Sequence, residues 1–187
     1  MLRSLSDPTR WNATDAEVAA LYPSDDLLGE PVVRMTRAID VRAPAPLVFR
    51  WLCELREAPF SYDWIDNLGR RSPQTLIPGN DHLVVGQSMA KIFRLACFEV
   101  DRHLTLLGNS TCDALFGHLA CSYVVRPGAG TGTRLLCRLT LEQPRTLAGK
   151  ARLRALAWGD LVMMSKQLRV LRDRAESSVE DAQSARS

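Results

Sequence analysis

Three side chains of this chain stand among apolar neighbours in a way that could support proton transfer or anion binding. Arg37 lies on the apolar face of a strand-like run, Asp160 in the most apolar part of a helical run, and His118 opposite Leu119 and Cys121 in a second strand-like run. An arginine so placed offers a fork of donors to a carboxylate or phenolate. A carboxyl withdrawn from water has a raised pKa and can trade a proton near neutrality, and a histidine does so without help. Each has a simpler structural reading. Arg37 can pair with Asp40, Asp63 or Glu99, or reach the rim. Asp160 sits at the flank of its apolar stripe, where solvent or an arginine can meet it. His118 can be an ordinary hydrogen-bonded strand histidine. The sequence therefore supports no catalytic set beyond these three candidates.

Other chemistries find less support. Cys53, Cys97, Cys112, Cys121 and Cys137 are odd in number and form no C-x-x-C pair, which reads as reduced, mostly buried thiols in a cytoplasmic protein. His82, His103 and His118 have no metal-ligand spacing, so no metal is expected. No G-x-x-x-x-G-K, G-x-G-x-x-G or G-x-S-x-G occurs, and no cofactor is implied. The formal charge of +3 is too mild to indicate a nucleic-acid protein. The first 30 residues have no apolar signal core, and no run is long and apolar enough for stable membrane insertion.

The elements that must position these groups follow from periodicity. Thr14 and Glu17 make a capping box, so 15–21 reads as a short helix ahead of Pro23. Val33, Met35, Arg37, Ile39 and Val41 alternate with Arg34, Thr36 and Asp40, the pattern of a half-buried strand over 32–42. Pro44 and Pro46 open a helix that buries Val48, Trp51, Leu52 and Leu55. A second short helix is expected from Ser61 to Gly69. Strands are expected over 87–95, 97–107 with a break near Asp101-Arg102, 115–125 and 133–142, the last two joined by the Pro127–Gly132 turn. A final helix over most of 150–176 carries the stripe Leu153, Ala157, Leu161, Met164, Leu168 and Leu171, and its middle is apolar on other faces too. Its seven basic residues between Lys150 and Arg174 spread around the axis, which reads as a solvated surface. The expected division is an extension with a short helix over 1–30, one domain over 31–176, and a flexible tail over 177–187.

This order of elements is that of an α+β helix-grip fold, a curved antiparallel sheet wrapped around a long C-terminal helix with two short helices after the first strand. At residue level the chain resembles the START/polyketide-cyclase-like (SRPBCC) superfamily, in its bacterial cyclase/dehydrase branch. The matching pieces are Trp11-Asn12-Ala13-Thr14, Thr36-Arg37-Ala38-Ile39, Ala43-Pro44, Ser61-Tyr62-Asp63-Trp64, Gly132-Thr133-Arg134-Leu135, and Met163-Met164 through Arg174-Ala175-Glu176. Two departures stand out. Arg56-Glu57-Ala58-Pro59-Phe60 replaces glycines and a tyrosine, and Asn12 occupies a usual glycine position. The resemblance implies an apolar cavity for a lipid-like, polyketide or aromatic molecule, and it implies no shared catalytic motif.

Candidate lining residues for such a cavity are Tyr62, Trp64, Phe93, Phe98, Phe116, Tyr123, Trp158, Val162 and Met163, part of which any helix packed on a sheet would bury as core. Three functional readings follow. The first is a carrier or sensor of a small hydrophobic molecule. The second is a cyclase or dehydratase, which needs titratable groups converging in the cavity. The third is an interaction module with a filled interior and an exposed Trp158 or Met163. No nucleic-acid partner is expected, and a homodimer is compatible with the sequence.

Overall fold

The computed structural model of the chain describes residues 7–60 and 73–184. Seven strands form one sheet in the order β1-β2-β7-β6-β5-β4-β3. They are β1 (Arg10–Trp11), β2 (Val32–Val41), β3 (Ser88–Met89), β4 (Phe93–Glu99), β5 (His103–Gly108), β6 (Leu119–Pro127) and β7 (Thr133–Glu142). The sheet is mixed, since β1 runs parallel to β2 while all other pairs are antiparallel. Helices α1 (Asp15–Ala19), α2 (Ala45–Cys53), α3 (Ser110–Phe116) and α4 (Leu147–Ser184) complete the described fold. The expected helix from Ser61 to Gly69 lies outside the described residues.

One face of the sheet carries the main core. Leu104, Leu106, Cys121, Tyr123, Leu135 and Cys137 face Leu168, Leu171 and Ala175 of α4, with Trp51 and Leu52 of α2 against them. A smaller cluster of Met35, Cys112, Leu119, Leu141 and Ala157 continues the same face toward the start of α4. The stripe expected on α4 is the buried one. The helix, however, runs to Ser184, past the tail expected from residue 177. Trp51 Nε1 donates to Ser178 Oγ at 3.2 Å, and Val179 packs on the core, so this polar stretch is held by α2.

The other face departs from the half-buried pattern. Met35, Thr36, Arg37, Ala38 and Ile39 are all buried, on both sides of β2. The N-terminal stretch covers the face that alternation assigns to solvent, so it forms a layer of the fold and is more than an extension. Tyr22 is 2% exposed and lies under Arg138, whose guanidinium carbon is 4.4 Å from the ring centre. Arg138 donates to the carbonyls of Val18 (2.7 Å) and Ala20 (2.9 Å), and the Ser24 amide donates to Ser122 Oγ (2.8 Å). The capping box at Thr14 and Glu17 is present. Asn12 takes φ 56°, a left-handed conformation that asparagine tolerates better than most residues, which accounts for its standing at a glycine position.

Two strand boundaries also shift. The run expected over 87–95 breaks at Ala90 and Lys91, both at positive φ (44° and 66°), leaving β3 and β4. The segment expected to be strand from 115 begins as α3, where Asn109 caps the amides of Thr111 and Cys112 and Gly117 (φ 85°) ends the helix. Leu115 is consequently 52% exposed.

Glu17 couples the outer layer to the sheet, accepting from Arg134 Nε (2.8 Å) and Nη2 (3.0 Å). Those bonds pull its carboxyl down to about 2 from the ordinary 4.5. A depressed carboxylate contributes stability above its unfolded pKa and loses it as pH falls through the folded one. Glu17→Gln is therefore expected to cost about 2 kcal/mol at neutral pH. It should also flatten the stability loss of the native chain between about pH 4.5 and 2, as read by urea denaturation across that range.

Candidate functional site

Strand register assembles the polar groups of the inner face. Arg37 pairs with Cys137, Cys137 with Tyr123, Tyr123 with Leu104, and Leu104 with Phe98, making one row across five strands. Above this row α4 places Asp160 over Arg37 and Gln167 over Tyr123. Arg37 Nη2 donates to Asp160 Oδ2 at 2.8 Å and to the Pro8 carbonyl at 2.6 Å. The Arg37 side chain is 1% exposed and that of Asp160 19%. Arg37 Nη1 reaches the Thr36 carbonyl, whereas its Nε is buried with no hydrogen-bond partner among the described residues. The acids proposed from sequence as partners are otherwise placed, since Asp40 pairs with Arg134 and Glu99 with Arg102, while Asp63 lies outside the described residues.

Burial pushes the Asp160 carboxyl up to about 6, against the opposing pull of the Arg37 guanidinium. Burial dominates over the ion pair because a buried charge loses more solvation than one neighbouring cation returns. Tyr123 donates to Gln167 Oε1 at 2.6 Å, and Gln167 Nε2 donates in turn to the Pro59 carbonyl. The Pro59 segment thus meets the inner network directly. Burial, and then the adjacent cysteines and Asp160, raise the Tyr123 hydroxyl well above its usual range. The same burial and Cys121 hold the Cys137 thiol protonated, and the two sulfurs lie 3.4 Å apart.

The middle of the inner face, where the cavity was expected, is occupied by this packing. The open cleft of about 600 Å³ lies to one side, between β2 and the first turns of α4. Val33 and Met35 form one wall, Leu153 and Ala157 the other, and Lys150 and Arg154 stand with them on the helix. The sequence Val33, Met35, Arg37 along β2 and Leu153, Ala157, Asp160 along α4 brings both walls to the Arg37–Asp160 pair. Two of the groups Arg37 contacts, Pro8 and Met35, line the cleft. A second cleft, of about 670 Å³, is lined by turn and strand-end residues such as Pro44, Arg102 and Arg126 and lies away from this pair.

The residues proposed from sequence divide accordingly. Arg37 and Asp160 meet. His118 does not join them, because its side chain is 59% exposed beside Asp113 at 3.1 Å. Tyr123 is core, and Phe93 and Phe98 are half-buried against the main cluster. Phe116 (39% exposed) projects outward from the end of α3, and Trp158 (37%) and Val162 (52%) project outward because α4 turns its other side to the sheet. Met163 is half-buried, and Tyr62 and Trp64 lie outside the described residues. None of the seven that lie among the described residues lines the cleft between β2 and α4. The wall residues Val33, Met35, Leu153 and Ala157 carry only an apolar periodicity, which does not separate a cleft wall from a core.

No protein-family model matches the chain, and no curated protein does. Solved structures do match. A Thermobifida fusca protein determined by solution NMR has a TM-score of 0.50 at 15% identity, over 76% of this chain and 92% of its own. The di-domain ARO/CYC StfQ from the steffimycin biosynthetic pathway has a TM-score of 0.48 at 16% identity, over 80% of this chain and 52% of its own. An Arabidopsis thaliana member of the major latex protein family gives 0.42 at 14%, over 75% and 94%. This chain spans about half the length of StfQ. With the long C-terminal helix lying along one face of a seven-stranded, unclosed sheet, the architecture is decided. The chain has a helix-grip fold. The resemblance read from the sequence holds at the level of that fold, and the grip is tightest along Leu161, Leu168 and Leu171, loosening toward the start of α4 where the cleft opens.

Replacing Arg37 by Met leaves Asp160 without its cation, and such a loss costs about 3–5 kcal/mol for a buried pair. Since Arg37 holds the Asp160 carboxyl down against burial, the substitution should move it above 6, observable as the side-chain carboxyl titration by NMR.

Proposed function

We propose that this chain binds a small hydrophobic molecule, lipid-like, polyketide or aromatic, in the cleft between β2 and α4, as a carrier or sensor. The observation that carries this reading is a cleft with apolar walls, lined by Pro8 and Met35, two of the groups that the buried Arg37 guanidinium contacts. Its volume of about 600 Å³ falls within the roughly 300–1,000 Å³ of small-molecule sites. The apolar walls favour transfer of a ring or chain from water, at about 25 cal/mol per Å² buried.

A cyclase or dehydratase reading is favoured by one specific observation. Arg37 and Asp160 meet beside the cleft, behind its lining residues Pro8 and Met35, and a carboxyl poised at about 6 can both give and accept a proton near neutrality. In that chemistry Asp160 moves the proton and Arg37 stabilises the enolate or phenolate oxygen.

Two substitutions test and separate these readings. Val33→Trp fills the cleft from the strand side and should weaken binding of an apolar fluorescent dye, and of any co-purified compound seen by native mass spectrometry, at least ~10-fold, the equivalent of about 1.4 kcal/mol. Unchanged dye binding by a folded Val33→Trp protein refutes the cleft as the site. Asp160→Asn should leave dye binding within about two-fold. If it also abolishes cyclisation of a poly-β-ketone substrate that the native chain converts, the enzymatic reading stands; if the native chain converts none, that reading falls.

A further inference from the structure

We infer that the exposed face of α4 docks on an anionic lipid surface, with the mouth of the cleft turned toward it. Packing selects this face. The sheet takes the side of Ala157, Leu161, Leu168 and Leu171, α2 also packs on the helix, and Val170 is partly buried against the main core. The side left to solvent carries Ala151, Ala155, Trp158 and Val162, which share a sector of about 60° at the ~100° per residue of an α-helix. Trp158 is 37% and Val162 52% exposed, and Leu147 at the start of the helix is 85% exposed. A tryptophan and a branched aliphatic residue held in water at this spacing form an unpartnered apolar stripe.

Charge commits the stripe to one kind of partner. Between Leu147 and Arg172 the helix has six cations and one acid, Asp160, and Asp160 is bound to Arg37 beneath the helix. The cations looked dispersed around the axis in sequence. Once the sheet and α2 close the other sides, Arg154, Lys166 and Arg169 are left exposed beside the stripe. Arg169 stands 5.2 Å over the Trp11 ring of β1, extending the face onto the sheet edge. The nearest exposed acids are Asp173, which is paired with Arg172, and Asp7 at the cleft, so the stripe's flanks are predominantly cationic. An apolar strip with tryptophan, flanked by cations, is the composition that lies flat in the headgroup region of an anionic leaflet. No helix among the described residues is long and apolar enough to cross a membrane, so the contact is superficial.

The docking face and the cleft share Lys150, Ala151 and Arg154. An amphipathic molecule leaving the leaflet could therefore enter between β2 and α4 without crossing bulk water. The docking inference stands on the surface alone and does not require that the cleft be loaded.

Flotation of the full chain with phosphatidylcholine vesicles, with and without phosphatidylglycerol, at low and high salt, tests this. The expected result is binding to the phosphatidylglycerol-containing vesicles only, weakened by salt. Lys166→Glu and Trp158→Ser, both at exposed positions, should each weaken partitioning at least about five-fold, which corresponds to the ~1 kcal/mol of one surface cation. Lys166→Arg should retain it. Circular dichroism checks that both variants keep the native fold. Absence of binding, equal binding to neutral vesicles, or binding that both variants leave unchanged overturns the inference. Retention on polyglutamate without vesicle binding assigns the face to an acidic protein and overturns the lipid assignment.

Discussion

The buried guanidinium of Arg37 is the constraint on which the rest of the inner face depends. A cation at 1% exposure must be met from several directions, and here the Thr36 and Pro8 carbonyls and the Asp160 carboxylate meet it. Those partners tie three separate parts of the chain to one point: β2, the stretch before β1, and the middle of α4. The ion pair also sets the rotation of α4. With Asp160 turned to β2, Ala157, Leu161 and Leu168 fall on the sheet, and Trp158 and Val162 fall outside. The location of the cleft and the exposure of the apolar stripe are two results of the same rotation.

A second polar system holds the opposite face. Arg138, at 1% exposure, is covered by the Tyr22 ring and donates to the Val18 and Ala20 carbonyls, with Asp25 nearby and bonded to Thr140. Arg134 adds Glu17 and the Asn12 carbonyl. Several pieces of the family resemblance are explained by such ties. Arg134 binds the N-terminal layer, and Glu176 accepts from the Arg42 amide and guanidinium, closing the end of β2 onto α4. These residues mark how the grip is fastened, which is why the resemblance carries the fold and leaves the ligand open.

The proposed site lies on the first half of α4. There the helix lifts from the sheet enough to leave an apolar cleft, while its far side presents apolar and basic groups to solvent. Farther along, Leu168, Leu171 and Ala175 are fully packed, and Trp51 holds the last turns through Ser178.

Much of the fold was legible in the chain itself, because period-two alternation in β2 and β7, the capping box at Thr14, and the stripe on α4 are local consequences of which residues must leave water. The helix-grip order followed from those elements, and so did Arg37 and Asp160 as charges out of place among apolar neighbours. Alternation could not show that the polar face of β2 is covered, since Thr36 and Arg138 are satisfied by a distant polar layer instead of by water. Nor could it distinguish Leu153 and Ala157, which wall a cleft, from Leu168, which fills a core. Aromatic bulk was a poor guide for the same reason: Tyr123 is locked to Gln167 and Trp158 faces outward. Local patterning determined which residues avoid water; tertiary structure alone decided what replaces it, because the partners of Arg37, Tyr123 and Arg138 lie far away in sequence and meet only when the helix closes on the sheet.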